Sequence, residues 1–441
     1  MTSRATGHRA DDALRAILSS QWSGEPAVIV DSPPGAGKTE AVIRLAAQSL
    51  GVMGERCAVV TQTNAQAADL ARRFGKRFSR LPAQLLWSEE HGEPDGLPPS
   101  VSLIHRSGDV PDGPCLTIAN AAKWSYQLGN LREGFALQVV DEAYQLRDNL
   151  FHQIAQLADR IVLVGDPGQI APVVPVATER WADDPAGPQV AAPRALLHRH
   201  PNLPVYRLPV SYRLVPDTVE IVQPAFYPDL PFAAATAPGE RRAEAPIAGM
   251  TPLDRPITLL RGASLVLATL PARQTGDEDD ELAGAIVRLA ERLIQRAVRI
   301  RDPGNAGRLT PERIGVVCAH VAQVAAVRSR LPPTLSSVRV ETADRFQGLD
   351  RDVTLVWHPL SGRRDLTGFQ LDAGRLCVML SRHRVGCILV GRAGLDQTLD
   401  QHVPTSLRTL DGNDHPEFIG WRAHREVLAR LRASSRIVPI G

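Results

Sequence analysis

The sequence predicts an α/β fold with two tandem domains, each a mainly parallel sheet flanked by helices. Short apolar segments of strand length recur along the 441 residues, at 27–30, 57–60, 137–140, 161–164, 265–270, 314–318, 353–357 and 387–390. Stretches with helical periodicity separate several of them, as at 65–78 and 281–298. The series occurs twice, on either side of a segment rich in Pro, Ala and Gly. Buried strands that alternate with helices indicate βαβ units and parallel sheets.

These patterns predict the domain boundaries. We expect a first domain at 1–228, a linker at 229–256, a second domain at 257–400 and a C-terminal tail at 401–441. The tail contains EFIGWRAHREVLARLRA, a helix with one apolar face. That face consists of Phe418, Trp421, Val427, Leu428 and Leu431. We expect it to pack on the body of the protein, with docking of a partner as the alternative.

Composition narrows the class of protein. The net charge is +2, and 44% of the residues are hydrophobic. The first ten residues lack the apolar core of a signal peptide, and no uncharged apolar run reaches about 18 residues. We therefore expect a cytoplasmic protein without membrane contact. The five cysteines are odd in number and have no C-x-x-C spacing, so we interpret them as small buried apolar residues.

The segment DSPPGAGKT, residues 31–39, has the layout of a phosphate-binding loop because it follows a strand and opens a helix. The backbone N–H groups of residues 35–39 can converge on phosphate oxygens. Lys38 reaches the β and γ phosphates, and Thr39 offers a hydroxyl to Mg²⁺. The residues expected to hold the nucleotide are Pro34, Gly35, Ala36, Gly37, Lys38 and Thr39. A Gly-rich turn with an accidental lysine is the alternative.

Two later strands end in polar residues that suit the same chemistry. LQVVDEAYQ delivers Asp141, a Mg²⁺ ligand through water, and Glu142, which is placed to polarise the attacking water. LVGDPGQIAPV ends with Gln169, whose amide can bond both a γ-phosphate oxygen and the attacking water. An ordinary solvated turn is the alternative for each segment taken alone.

The order of the motifs resembles that of superfamily 1 helicases, in the branch with DEAxQ that includes the nonsense-mediated decay helicase and its DNA-processing relatives. The matching segments are DSPPGAGKT, TQTNAQAADL, TIANAAKW, VVDEAYQ, VGDPGQIAPV, SYRL, IGVVCAHVAQV, TADRFQGLDRDV and GRLCVMLSRHR. They lie within residues 27–392. The resemblance implies two RecA-like domains, with ATP hydrolysed in the cleft between them.

The resemblance also implies site residues in the second half of the chain. Arg213 and Arg382 match the two arginines that contact the γ-phosphate, and Tyr212 matches an aromatic residue that stacks on adenine. Gln347 and Gly348 match residues that line the phosphates. Asp350 stands where relatives usually have Glu. The adenine-reading Gln of the family has no clear counterpart, since Gln21 lies too close to the loop and in a polar turn.

A strand-binding face is implied in the same way. The matching contacts are Thr63, Asn64, Thr117, Asn120, Lys123, His320, Thr342 and Asp344. Arg72, Arg73, Lys76, Arg77 and Arg80 add a basic helix face that could equally be a solvated surface. Trp124 and Tyr126 adjoin the lysine segment, and Trp124 is expected in the core.

Two functional hypotheses follow from the resemblance. The first is an ATP-dependent translocase or helicase that moves 5′ to 3′ on single-stranded DNA or RNA, reduced to its two motor domains because only about 35 residues separate Leu81 from Pro114. The second is an ATP-gated switch that binds a strand or a protein and unwinds little. ATP and Mg²⁺ are the expected cofactors, and a nuclease is a candidate protein partner.

Overall fold

The structure is a computed structural model that describes residues 3–172, 174, 181, 184–276, 278–409 and 412–441. Val173, the last residue of the VGDPGQIAPV motif, lies outside the described residues. The chain divides into two compact units. We call residues 7–167 and 171–209 the N-terminal unit, and residues 210–441 together with 3–6 and 168–170 the C-terminal unit.

The N-terminal unit is built on an eight-stranded sheet in which every neighbouring pair is parallel. Its strands are β1 (Ala27–Asp31), β2 (Cys57–Thr61), β3 (Ala83–Leu86), β4 (Val101–Ile104), β5 (Leu116–Asn120), β6 (Phe135–Val140), β7 (Ala158–Gly165) and β8 (Val205–Arg207). Their spatial order is β4-β3-β5-β2-β6-β7-β1-β8. The helices are α1 (Ser3–Trp22), α2 (Lys38–Met53), α3 (Asn64–Arg77), α4 (Ala121–Gln127), α5 (Asp148–Ile154) and α6 (Ala192–Arg199).

Apolar side chains cover both faces of this sheet, which explains why its strands are continuous apolar runs. All five residues of β2 are buried. On one face Val59 belongs to a cluster with Leu45 of α2 and Phe74 of α3. On the other face Val60 packs in a cluster with Trp124 and Phe151. A parallel sheet buried on both faces is what the apolar segments predict.

The C-terminal unit has a second parallel sheet of six strands, in the order β16-β15-β17-β18-β12-β19. Its strands are β12 (Leu265–Leu270), β15 (Ile314–Cys318), β16 (Arg339–Thr342), β17 (Arg351–Trp357), β18 (His383–Arg392) and β19 (Ile437–Pro439). Smaller sheets comprise β9 (Val210–Ser211) with β10 (Ala233–Ala234), and β11 (Arg242–Glu244) with β13 (Arg299–Arg301) and β14 (Gly307–Arg308). The helices are α7 (Pro216–Phe226), α8 (Asp254–Leu259), α9 (Asp280–Gln295), α10 (Val321–Arg328), α11 (Ala343–Phe346), α12 (Ala373–Leu380), α13 (Leu395–Gln401) and α14 (Pro416–Ala433). Each unit is thus an α/β domain on a parallel sheet, as the sequence predicts.

The boundary between the units lies earlier than the sequence suggests. Residues 210–228 group with the C-terminal unit, whereas the sequence places them in the first domain. The reason is packing, because Val222 of α7 shares an apolar cluster with Leu265 of β12 and Leu428 of α14. The expected linker is not structureless either, since it contains β10 and β11 and the start of α8.

The tail packs on the C-terminal unit. Val427, Leu428 and Leu431 of α14 are buried, and Trp421 donates its indole N–H to the Leu399 carbonyl at 2.9 Å. The strand β19 then extends the sheet beside β12. The apolar face of the tail is therefore largely used within the unit.

The state of the cysteines and the apolar character of the helices can also be compared with the sequence. All five cysteines are free and buried, as the sequence indicates. Among the described residues, no helix combines the length and the apolar character that a membrane span requires.

Candidate nucleotide-binding site and strand-binding face

The phosphate-binding loop of the N-terminal unit connects the end of β1 to the first residue of α2. Gly35 and Gly37 adopt left-handed backbone conformations, with φ of 73° and 84°. Glycine is the residue that adopts these angles without steric cost. The first turn of α2 therefore leaves its backbone N–H groups at the loop, where a helix N-terminus attracts anions.

Lys38 lies between two carboxylates of the same unit. Its Nζ atom is 3.7 Å from Glu142 Oε1 and 3.7 Å from Asp166 Oδ2. The Asp166 side chain is fully buried, and that of Lys38 is about a tenth exposed. Asp166 belongs to the GDPGQ segment, and the sequence predicted no role for it. Asp166 directly follows a buried strand and precedes Gln169 by three residues, and this position could have marked it as a site residue.

Thr39 and Asp141 form the expected hydroxyl and carboxylate pair. Thr39 Oγ1 donates to Asp141 Oδ2 at 3.2 Å. Burial raises the pKa of Asp141, the nearby Glu142 carboxylate raises it further, and Lys38 opposes both effects. An ionised Asp141 in this environment needs additional positive charge. A hydroxyl and a carboxylate are ligands that suit Mg²⁺, so these residues fit the ion.

The backbone around Asp141 and Glu142 is held in an uncommon conformation. Glu142 has a φ of 52°, a left-handed value that is rare for residues other than glycine. Its backbone N–H donates to Asp141 Oδ1 at 2.9 Å, and Gln62 Nε2 donates to the Asp141 carbonyl at 3.1 Å. Such outliers are concentrated at functional sites, and this one directs the Glu142 side chain to Lys38.

A further, partly buried acid is Asp31 at the end of β1, the first residue of DSPPGAGKT, for which no role was predicted. Asp31 Oδ1 accepts a hydrogen bond from the Tyr144 hydroxyl at 2.6 Å. Burial raises the pKa of Asp31, although this hydrogen bond opposes the shift. Tyr144 lies three residues after Asp141, so the bond ties the loop strand to the DEAxQ segment. Asp31 and Tyr144 are far apart in the sequence and meet only in the folded chain. The hydrophobic periodicity of the sequence therefore could not predict this hydrogen bond.

The arginines matched to the γ-phosphate lie in the C-terminal unit. Arg213 Nε pairs with Asp350 Oδ2 at 3.2 Å, and Arg213 Nη1 donates to the Ser381 carbonyl at 3.4 Å. Arg382 follows Ser381 and is 1% exposed. Its Nε donates to the Val378 carbonyl at 3.1 Å, and its Nη2 donates to Ser381 Oγ at 3.0 Å. Arg213, Asp350 and Arg382 are thus joined around Ser381.

The remaining expected nucleotide contacts also lie in the C-terminal unit. Gln347 Nε2 donates to Gln169 Oε1 at 2.8 Å, which pairs the two amides that the motifs single out. Gly348 has a φ of 82°. The Tyr212 side chain is 44% exposed, and Arg241 donates to the Tyr212 carbonyl at 2.8 Å. Tyr212 is therefore partly exposed on a backbone that is held in place.

The expected strand contacts of the N-terminal unit gather at the ends of β2 and β5. Thr63 caps α3 by accepting from the Gln66 N–H, and Asn120 caps α4 by accepting from the Lys123 N–H at 2.7 Å. The Asn120 side-chain amide also donates to Asn64. The caps and this amide contact bring four of the expected residues to one edge of the sheet.

Thr117 differs from that group. It lies inside β5, is 0% exposed and donates its hydroxyl to Gln84 Oε1 at 3.4 Å. A side chain at this depth offers no surface to a nucleic-acid strand, so the expectation that Thr117 contacts the strand is wrong. Trp124 is buried as expected, and Tyr126 is 81% exposed.

On the C-terminal unit, His320 is already engaged by other side chains. Its ring stacks on Phe369 with centroids 4.5 Å apart, and its Nε2 lies 2.8 Å from Arg363 Nη2. Burial lowers the pKa of His320. Thr342 caps α11, and Asp344 accepts from Arg375 at 2.7 Å. Phe369 is 39% exposed, and the Arg375 guanidinium also lies over its ring, 3.8 Å from the centroid.

Gln21 occupies the end of α1 instead of the polar turn that the sequence suggests. It is 3% exposed, and neither atom of its side-chain amide has a hydrogen-bond partner among the described residues. Arg160 Nη1 donates to the Gln21 carbonyl at 3.0 Å. The helix continues farther than expected because α1 packs Leu14 and Ile17 into the core of the N-terminal unit.

Comparison with known proteins gives a consistent family. Two family models, each described as an AAA domain, match residues 10–180 and 194–394. The DNA replication ATP-dependent helicase/nuclease dna2 of Schizosaccharomyces pombe is 24% identical over 270 residues, covering 57% of this chain and 18% of that protein. The ATP-dependent helicase NAM7 of Saccharomyces cerevisiae is 26% identical over 265 residues, covering 58% and 25%. The chain thus spans a quarter or less of the length of these relatives.

Solved structures include similar chains at low identity. The complex of Arterivirus nonstructural protein 10 (helicase) with DNA is 14% identical with a TM-score of 0.43, covering 89% of this chain and 64% of that one. The matches to sequence relatives and the motif series, which extends over both units, agree with one another. Together they support a superfamily 1 helicase of the type of dna2 and NAM7.

Proposed function

We propose that the protein is an ATP-driven motor that moves 5′ to 3′ on single-stranded nucleic acid. The observation that carries the proposal is the constellation around Lys38, with Glu142 and Asp166 each 3.7 Å from its ammonium group and Asp141 bonded to Thr39. Lysine, hydroxyl and two distinct carboxylates are the groups that phosphoryl transfer to water requires.

Each residue has a separate role in this proposal. Lys38 and the backbone N–H groups of the loop bind the phosphates, and Glu142 takes up the proton of the attacking water. Thr39 and Asp141 hold Mg²⁺, which would neutralise charge on the phosphates. Arg213 and Arg382 stabilise the charge that develops on the transferred group, an effect worth about 10³ to 10⁵ in rate. Gln169 orients the attacking water.

The strand-binding residues support movement on nucleic acid. Thr63, Asn64, Asn120 and Lys123 converge on one edge of the N-terminal sheet, and the exposed Tyr126 of α4 presents a ring on the same unit. Aromatic stacking on unpaired bases contributes about 1 to 3 kcal/mol per base. Contacts of this kind would be made to the sugar-phosphate backbone and to the faces of the bases, which every nucleotide sequence offers. We therefore propose binding without sequence preference. We further propose that the motor works in the cytoplasm with a partner such as a nuclease.

Displacement of a roadblock tests movement and its direction. Streptavidin is bound to the 3′ or the 5′ end of matched DNA and RNA oligonucleotides, and its release is followed with ATP and with a non-hydrolysable analogue. A 5′ to 3′ motor releases the block from the 3′ end alone, and only with ATP. Strand affinity that changes with nucleotide, without release from either end, would instead support the ATP-gated switch.

A further inference from the structure

A small antiparallel sheet of the C-terminal unit presents arginines that the motor chemistry does not use. It consists of β11, β13 and β14. Ile300 is buried in the middle of β13, so Arg299 and Arg301 on either side of it point to the opposite, exposed face. Arg299 of β13 is paired with Glu244 of β11 on one side and with Arg308 of β14 on the other. We call Arg242, Glu244, Arg299, Arg301 and Arg308 the arginine face.

Charge on this face is not balanced. Both carboxylate oxygens of Glu244 are used, one by Arg242 and the other by Arg301, each at 2.9 Å. Arg299 and Arg308 are direct cross-strand partners, and neither side chain has a hydrogen bond or an ion pair among the described residues. Like charges placed opposite each other destabilise a sheet. An anion bound between these two side chains would remove that cost.

A cavity lies at the same place. Its volume is about 320 Å³, and its lining combines Arg299, Arg301 and Arg308 with Pro246 and Ala297. The turn before β13 is fixed, because Arg296 donates to the Ile247 carbonyl at 2.9 Å and to the Asp254 carbonyl at 3.0 Å. Arg313 donates to the Arg308 carbonyl at 3.1 Å. The cavity is therefore built on supported backbone.

We propose that the arginine face binds the phosphodiester backbone of the nucleic acid on which the motor acts, at a site separate from the motif residues. Guanidinium groups match phosphate oxygens in two-pronged hydrogen bonds. The apolar wall at Pro246 and Ala297 provides a surface for the sugar. This inference rests on the proposed function, since it requires a nucleic-acid substrate. It adds a second anchoring point that raises affinity without reading sequence.

The test is the salt dependence of strand binding by the full chain. Fluorescence anisotropy with a labelled single-stranded oligonucleotide compares the wild type with the double variant Arg299→Gln and Arg308→Gln. Two lost phosphate contacts lower the slope of log affinity against log salt by about 1.4, at about 0.7 per contact. The same change weakens binding about 25-fold at 0.1 M salt and little near 1 M. The ATP turnover at saturating strand stays unchanged.

A matched control removes two other exposed arginines of the unit. Arg255→Gln with Arg288→Gln, on α8 and α9, lowers the net charge equally and leaves the slope at the wild-type value. Equal slopes for the wild type and the Arg299/Arg308 variant would overturn the inference, as would equal losses in the variant and the control. Failure of the proposed function looks different, because wild-type ATP turnover then does not respond to the strand at all.

Discussion

The ammonium group of Lys38 lies 3.7 Å from the carboxylate of Glu142, in a site where both side chains are largely buried. Lys38 is the first residue of α2, and Glu142 follows β6 in a left-handed conformation. The glycine-rich loop and the acid proposed to activate water are thus linked by a direct ion pair. Asp166 contacts the same ammonium group from the end of β7.

Asp166 is expected to position Lys38. Asp166→Asn removes one of the two charges that hold the ammonium group, and misplacement of a catalytic group by about 1 Å can cost about 10²-fold in rate. We expect kcat/KM for ATP to fall by about that factor. Steady-state turnover of the purified variant measures it. Asp159→Asn, an exposed aspartate on the same strand β7, serves as the control and leaves kcat/KM unchanged.

Arg213 is expected to act on the rate of the chemical step more than on nucleotide binding. Arg213→Ala lowers kcat by about 10³-fold or more, while the affinity for a fluorescent ATP analogue changes little. Arg213→Lys does not restore kcat, because a lysine cannot reproduce the planar guanidinium contacts. The exposed Arg261 gives the control variant Arg261→Ala. If Arg213→Ala kept the kcat of the wild type, the proposed role of Arg213 in the chemical step would be contradicted.

Asp141 is expected to set the Mg²⁺ requirement. Asp141→Asn removes the carboxylate that Thr39 contacts and raises the Mg²⁺ concentration for half-maximal turnover by about 10 to 100-fold, the usual effect of disturbing the groups around a metal. Titration of Mg²⁺ at fixed ATP measures the shift. Removal of the ion with EDTA abolishes turnover in the wild type. An unchanged Mg²⁺ midpoint in the variant would contradict the assignment.

Acidification is expected to destabilise the C-terminal unit through three buried histidines. Burial lowers the pKa of His383 to about 3 and that of His424 to about 4, and it holds the pKa of His358 well below its usual range. In the unfolded chain these three histidines take up protons near pH 6.5, whereas in the folded chain they stay neutral at that pH. Stability is therefore full above pH 6.5 and falls below it, by about 1.4 kcal/mol per pH unit for each histidine.

Urea unfolding at pH 7.5 and at pH 5.5 measures this loss. His424→Gln shows a weaker pH dependence than the wild type, because one of the three groups no longer takes up a proton on unfolding. His198→Gln changes an exposed side chain of the N-terminal unit and keeps the wild-type dependence. A pH dependence that is identical in all three proteins would show that His424 does not contribute.

The sequence predicted the parts of the fold that rest on periodicity and local signals. Segments such as 57–60 and 314–318 are buried strands because both faces of each sheet are covered, and α3 begins where Thr63 can cap it. Residues 210–228 were assigned to the first domain, since only long-range packing of Val222 with Leu265 and Leu428 decides their place. The short strands β11, β13 and β14 carry no apolar run and gave no periodic signal.

The candidate site was predictable to a similar degree. Lys38, Thr39, Asp141 and Glu142 follow strands and helix starts that the sequence marks, and the structure brings them together in one unit. Thr117 matched the family pattern, yet its β5 position buries it completely. Asp31 with Tyr144 and Arg299 with Arg308 depend on strand order and register, which no single segment encodes.

The most direct test of the central claim is ATP turnover measured with and without single-stranded DNA or RNA, in the wild type and in Glu142→Gln. We predict that at least one polymer raises the wild-type rate, and that the variant still binds ATP and the strand but loses turnover by about 10² to 10⁴-fold. A wild-type enzyme that hydrolyses ATP at the same rate with and without either polymer would contradict the motor function.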